Sequence, residues 1–201
     1  MDKKNVSMND VAIAAGVSLK TVSRVINEPD SVRESTRDKV HSAMEALGFR
    51  ANFAARSLKL GRYGCIGVVL FHLSGGAVDM IDGIADAAEE RGFALTMIKK
   101  RAGEKMTLAD AARRMSQLPV DGMIFNLRQM VDDFDTFEAP KDLKTVIITP
   151  MEHPTCSTVS DDQEGGARMA CEYFLNRGHK NVYFVSGKKE SLSSQCRMKG
   201  W

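Results

Sequence analysis

Ser18-Leu19-Lys20-Thr21-Val22-Ser23-Arg24-Val25-Ile26-Asn27 has the pattern of a short helix with one apolar stripe. Val22, Val25 and Ile26 recur at i, i+3 and i+4, the period of a helix face turned towards a core. Ser18 precedes the stripe and predicts an N-cap, its hydroxyl accepting from a free N–H of the first turn. Leu19, Lys20, Ser23, Arg24 and Asn27 fall off the stripe. The outward face therefore offers two cations, a hydroxyl and an amide, groups that read base edges and grip phosphates in a major groove. Alone, the pattern also fits an ordinary amphipathic surface helix. The flanking sequence separates the two readings.

Upstream, Ser7-Met8-Asn9-Asp10 predicts a helix start, a hydroxyl cap with a carboxylate three positions on. Val11, Ala12, Ala14 and Ala15 follow, and Gly16 is placed for the positive φ of a tight turn. Val17 is expected to pack inward before Ser18 caps the second helix. Two short helices, a glycine turn and a basic second helix make a helix-turn-helix. Downstream, Asn27 to Ser31 is a turn. Ser35-Thr36-Arg37-Asp38 predicts the start of a third helix, with Val40, Met44 and Leu47 buried and Gly48 as its stop. The three helices predict a small all-α headpiece of marginal stability.

Residues 50–62 carry Arg50, Arg56, Lys59 and Arg62 and no acid. They fit a linker, or a segment that turns helical on DNA and wedges Leu58 between base pairs of the minor groove. From Gly64 the pattern changes to apolar runs alternating with helical periods. Strands are expected at 65–71, 93–98, 122–126, 145–149, 158–160 and 182–186, and helices at 78–91, 107–118 and 163–176. Such alternation predicts an α/β domain with a parallel sheet and helices on both faces. In these sheets ligands bind beyond the carboxyl ends of the strands. That rule picks Phe71-His72, Asn126, Thr149-Pro150, Asp161 and Ser186-Gly187 without identifying the ligand.

The charge is split in the same place. Residues 1–62 hold eleven Lys and Arg against seven Asp and Glu, and residues 63–201 hold seventeen against nineteen. A basic module is thus joined to a near-neutral body. With 43% hydrophobic and 27% charged residues among 201, the composition is that of a globular chain. No run reaches the roughly 18 apolar residues of a membrane span, and the charged start shows no signal peptide, so a cytoplasmic location is expected. Cys65, Cys156, Cys171 and Cys196 are scattered with no Cys-x-x-Cys. Reduced thiols and no metal site are expected.

The residues resemble the lactose-repressor (LacI/GalR-type) family of transcription regulators. Asp10-Val11-Ala12-x-x-Ala15-Gly16-Val17-Ser18-x-x-Thr21-Val22-Ser23-Arg24-Val25-Ile26-Asn27 is similar to its headpiece. Thr36-Arg37-x-x-Val40 and Asn52-x-x-Ala55-x-x-Leu58 are similar to its third helix and hinge. Ile66-Gly67-Val68, Asp121-Gly122, Asp161-x-x-x-Gly165, Gly178-His179 and Arg197-x-x-Gly200-Trp201 follow in the order of its sensor domain. The resemblance implies a headpiece over 1–50, a hinge over 51–62, a first sensor lobe over 63–160 and the start of a second over 161–201. That sensor is periplasmic-binding-protein-like, and the chain would stop inside its second lobe, leaving apolar surface exposed. Leu19, Lys20 and Arg24 would read bases. Ser7, Ser18, Thr21, Ser23, Asn27 and Thr36 would contact or orient on phosphates. Asn52, Ala55, Arg56, Leu58 and Lys59 would form the minor-groove hinge. Phe71, Asn126, Asp161 and Arg197 would line an effector cleft, although Arg197 also fits a surface arginine.

The implied partners are a palindromic duplex operator, a small effector such as a sugar, and a second copy of the chain, with no cofactor. Ala51 stands where the family often has Pro, and Asp161-Asp162 where it often has Asp-Asn. Two other classes fit less well. A DNA-binding α/β enzyme would need a Gly-x-Gly-x-x-Gly, a P-loop or a Gly-x-Ser-x-Gly, and none is present. His41, His72, His153 and His179 lack catalytic partners in sequence, and Asp132-Asp133 reads as a solvated pair in a polar loop. A secreted solute-binding protein would not carry the basic headpiece.

Overall fold

The computed structural model describes residues 6–50, 61–73 and 75–201. The hinge residues Asn52, Ala55, Arg56, Leu58 and Lys59 lie outside them. The chain divides into two compact units, Met1–Gly61 and Arg62–Trp201.

The first unit contains α1 (Met8–Ala15), α2 (Leu19–Asn27), a 3-10 turn (Pro29–Ser31) and α3 (Glu34–Leu47). Ser7 and Asp10 form the capping box read from their spacing. The Ser7 hydroxyl accepts from the Asp10 N–H at 3.3 Å, and the Asp10 carboxylate accepts from the Ser7 N–H at 2.8 Å. Gly16 sits at φ 64°, and Val17 N–H donates back to the Ala12 carbonyl at 3.0 Å. Gly48 repeats the device at φ 64°, with Phe49 N–H donating to the Met44 carbonyl at 2.8 Å. In both cases the residue after the glycine is apolar and packs on the core, as this helix stop favours. The core is Val11, Ala12, Val22, Val25, Val40 and Ala43, with Val17, Ile26, Met44 and Phe49 packed around it.

Two expectations for α3 are corrected. It starts at Glu34, and its N-cap Arg33 offers no side-chain hydrogen bond. Leu47 is exposed, and Ala43 takes the buried position. Val40 to Ala43 is i to i+3 on the face that meets α1, whereas Leu47 lies at the final turn, where Phe49 folds back over the core instead.

The second unit runs β1 (Cys65–Leu70), α4 (Gly75–Glu89), β2 (Ala94–Lys99), α5 (Leu108–Met115), β3 (Gly122–Asn126), β4 (Lys144–Ile148), β5 (Ser157–Val159), α6 (Gln163–Asn176) and α7 (Leu192–Gly200). The five strands form one parallel sheet in the order β2-β1-β3-β4-β5. α5 packs on β1 and β3. Gly67 in β1 permits that approach, because a Cβ there would overlap the Met115 side chain. The connection from β3 to β4 has no helix. Phe134 and Phe137 bury themselves there, Phe137 against Phe125 at 5.9 Å between ring centroids. Both also pack edge-on to His153, whose Nδ1 accepts from the Thr155 and Cys156 N–H groups. His153 is therefore a half-buried structural residue at the edge of this core.

Three further expectations change. Residues 182–186 do not form a strand, since among the described residues no neighbour supplies a ladder to pair with. Tyr183 and Val185 are 86% and 91% exposed in consequence. α7, which the periodicity does not predict, forms instead behind the Ser191 cap and packs on α6. Asp133 is not a solvated acid. Its carboxylate accepts from the Leu108 and Ala109 N–H groups, both at 2.9 Å, and so caps α5 from 25 residues away. The exposed apolar surface of the carboxyl-terminal segment includes Met169, Tyr173, Phe174 and Leu175 of α6, Tyr183 and Val185, and Met198 and Trp201.

Candidate nucleic-acid interface and ligand pocket

α2 presents two opposite faces. Val22 and Val25 are buried, and Leu19, Lys20 and Arg24 are exposed. Lys20 and Arg24 are i and i+4, one helical turn apart on the same side. Two cations so placed repel by about 0.2–0.5 kcal/mol in an isolated helix. Among the described residues neither has an acidic partner to offset that repulsion. An approaching polyanion would remove it.

The polar residues around them already have local bonds. The Ser18 hydroxyl accepts from the Thr21 N–H at 3.1 Å and shares a hydrogen bond with the Thr21 hydroxyl at 2.8 Å. The Asn27 amide donates to the Ser23 carbonyl at 2.8 Å. The Ser7 hydroxyl donates to Asp10 at 2.7 Å. Ser7, Ser18 and Asn27 thus hold the amino ends of α1 and α2 and the last turn of α2. Ser23, Asn27 and Thr36 are half-buried, Ser7 and Ser18 exposed.

In the second unit the strand-end rule leads to two pockets. One, of about 130 Å³, is lined by Asn126, Arg128, Thr149, Asp161, Gln163, Ser191, Ser193 and Arg197 among others. Three of the four expected effector residues, Asn126, Asp161 and Arg197, meet here. Gln163 joins them: its carbonyl accepts from Arg197 and its amide donates to Asp161. Arg197 also donates to the Ser194 hydroxyl at 3.3 Å, so it is not a free surface arginine. Asn126 is 1% exposed, and its Nδ2 has no hydrogen-bond partner among the described residues. A buried amide left unpaired carries a desolvation cost that a ligand oxygen would relieve. Donors and acceptors converge on one small space, an arrangement suited to hydroxyl groups.

Phe71, the fourth residue, stands apart. It is 2% exposed, packs edge-on to Phe125 at 6.2 Å and lines a second pocket of about 210 Å³. His72, Lys100, Glu104, Lys105 and Gln129 share that pocket. Burial, then the charges of Lys100 and Lys188, hold the His72 imidazole below its ordinary pKa, favouring the neutral ring. Sequence reasoning does not reach Gln163 or Lys100. Lys100 directly follows β2, so the strand-end rule extended to that strand would have found it.

The base of β3 is held differently. Asp121 accepts from the N–H groups of Tyr63 (2.7 Å), Gly64 (2.6 Å) and Cys65 (3.3 Å), and its own N–H donates to the Cys65 carbonyl at 2.8 Å.

Among the described residues no helix is long and apolar enough to cross a membrane. A family model described as bacterial regulatory proteins, lacI family, matches residues 7–52. A second, described as periplasmic binding proteins and sugar binding domain of LacI family, matches residues 68–201. The chain is 31% identical over 197 residues to the HTH-type transcriptional regulator YkvZ of Bacillus subtilis (strain 168), covering 97% of this chain and 60% of that protein. It is 30% identical to the HTH-type transcriptional regulator MalR of Streptococcus pneumoniae serotype 4, covering 98% and 61%. Among solved structures, the lac repressor bound to ONPG in the repressed state matches with a TM-score of 0.73 at 27% identity, over 98% of this chain and 61% of that one. The chain spans about three fifths of the length of the curated relatives it matches.

Proposed function

The chain belongs to the lacI family of bacterial regulatory proteins, and from that premise we propose that it is a sequence-specific DNA-binding transcription regulator, a repressor, controlled by a small effector such as a sugar. The observation that carries this reading is the outward face of α2, where Lys20 and Arg24 stand exposed one turn apart opposite buried Val22 and Val25. Leu19, Lys20 and Arg24 read base edges. Ser18, Thr21, Ser23, Asn27 and Thr36 orient the headpiece on phosphates. Ser7 does so indirectly, because its hydroxyl is committed to Asp10. Asn52, Ala55, Arg56, Leu58 and Lys59 enter the minor groove, and two copies of the chain place two headpieces on a palindromic site.

The effector occupies the pocket of Asn126, Asp161 and Arg197, with Phe71 as part of the adjoining wall. The segments 1–50, 51–62, 63–160 and 161–201 act as headpiece, hinge, first lobe and start of a second. Effector binding shifts the population between DNA-competent and incompetent states. We assign no turnover to the chain, and its work lies in the cytoplasm with the DNA.

The test is selection from a randomised duplex pool by the purified 201-residue chain at low salt. An inverted repeat with a central step open to kinking is the expected product. Recovery of duplexes without any sequence preference overturns the reading.

A further inference from the structure

We propose that the pocket at the carboxyl ends of β1 and β2, between His72, Lys100 and Lys105, receives the anionic group of the effector, which is therefore a phosphorylated or carboxylated small metabolite. The proposal rests on the effector reading above and narrows its ligand class.

Four observations support it. The pocket is a real space of about 210 Å³ at the ligand-binding end of the sheet. Its Gln129 follows Arg128 of the neighbouring pocket directly and bridges to Ser191, which also lines that pocket. One ligand can thus lie across both. Next, the Nδ1 of His72 is buried and has no hydrogen-bond partner among the described residues. An orphaned ring nitrogen in a pocket wall is an open position for a ligand atom.

The local charge is the third observation. Lys100 and Lys188 both act on the His72 ring, and among the described residues no carboxylate offsets them there. Of the two acids in the wall, Glu104 is already engaged: one oxygen accepts from Arg114 at 2.9 Å and the other from the Arg101 N–H at 2.8 Å. Asp132 is exposed at the rim. Fourth, Lys100 is held in place by donating to the Glu104 carbonyl oxygen at 2.8 Å, which leaves two of its N–H bonds for a ligand. A fixed, half-buried ammonium beside an orphaned imidazole favours an anionic oxygen over a neutral hydroxyl, because charge-assisted hydrogen bonds are about twice as strong.

An anion seated there would favour the imidazolium, so binding draws a proton onto His72. The experiment follows the imidazole Cε1–H resonances of the intact chain by NMR during titration with glucose 6-phosphate, glucuronate and glucose, each at matched ionic strength. His72→Gln assigns the reporter peak. The expected result is that one or both anions move the His72 resonance and raise its pKa, whereas glucose leaves both unchanged. The two anions compared with each other separate phosphate from carboxylate. In a Lys100→Gln/Lys105→Gln chain the response weakens at least about tenfold, with the half-buried His153 resonance unmoved as proof of an intact fold.

The proposal is overturned if neither anion moves His72 at millimolar concentration, or if the response survives the double substitution undiminished. It is equally overturned if glucose moves His72 as far as the anions do. That last outcome leaves effector binding standing, and failure of operator selection leaves the anion site standing, so the two readings fail separately.

Discussion

Arg24 and Val25 are neighbours with opposite duties, and replacing each by Ala separates them. Val25 is 2% exposed in the headpiece core. Its truncation removes two buried methyl groups worth about 0.8 kcal/mol each, and with the residual cavity the cost is about 2 kcal/mol. For a domain this small that lowers the headpiece melting temperature by roughly 10 °C. Arg24 is exposed and makes no ion pair among the described residues. Its removal from the last turn of α2 forfeits a few tenths of a kcal/mol of favourable dipole interaction, offset by the slightly better helix propensity of Ala. Arg24→Ala should therefore melt within about 0.5 kcal/mol of the parent. On DNA the order reverses. Taking the Arg24 guanidinium away from a base edge costs about 1–3 kcal/mol, or roughly 5- to 150-fold in affinity for the preferred operator, and much less on duplexes altered at that base. Fluorescence anisotropy over a panel of single-base operator variants at fixed salt measures this. If Arg24→Ala weakens every duplex by one common factor, or melts as early as Val25→Ala, base readout by Arg24 is wrong.

Other consequences are as direct. Ser7→Ala removes the hydroxyl half of the α1 capping box, leaving the backbone N–H bond to Asp10, and should cost about 1 kcal/mol of headpiece stability in a thermal melt. Asn126→Leu replaces an orphaned buried amide by an apolar group of similar size. It should raise the melting temperature of the second unit, by about 1–2 kcal/mol in stability, while abolishing the calorimetric signal of ligand binding. Because His72 is held below its ordinary 6.5, the unfolded chain binds the extra proton first. Stability should fall as pH drops through 6.5 and level off below the folded value, a slope that His72→Gln removes. Asp110 is depressed below 3.8, first by the Thr107 hydroxyl, then by the Thr107 N–H and Arg113. Its stabilisation is present above pH 3.8 and lost as pH falls through the folded value, and Thr107→Val should flatten that acid limb of the melting curve.

Local chemistry is legible in the sequence and long-range chemistry is not. Ser7 to Asp10, Gly16 and the Val22, Val25, Ile26 stripe each involve partners within a few residues, so spacing suffices. The order of strands and helices as far as α6 follows from the same periodicities. Residues 182–186 show the limit, because an apolar run becomes a strand only beside another, and that neighbour is not encoded in the run. The cap of α5 by Asp133 spans 25 residues, and a carboxylate in a loop gives no sign of such a bond. Within the candidate pocket, Asn126, Asp161 and Arg197 are legible and Gln163 is not, since its bonds to Asp161 and Arg197 exist only once α6 and α7 have met. Phe71 stands at a strand end, as its position implies, but its ring turns into the core.

β3 occupies the middle of the sheet and spans about 17 Å. One end carries Asn126 into the pocket, and the other begins just after Asp121, whose carboxylate grips residues 63–65. Hydrogen-bonded to β1 on one side and β4 on the other, such a strand cannot bend freely. If the proposed effector binds Asn126, its pull falls on the strand whose other end Asp121 ties to residues 63–65.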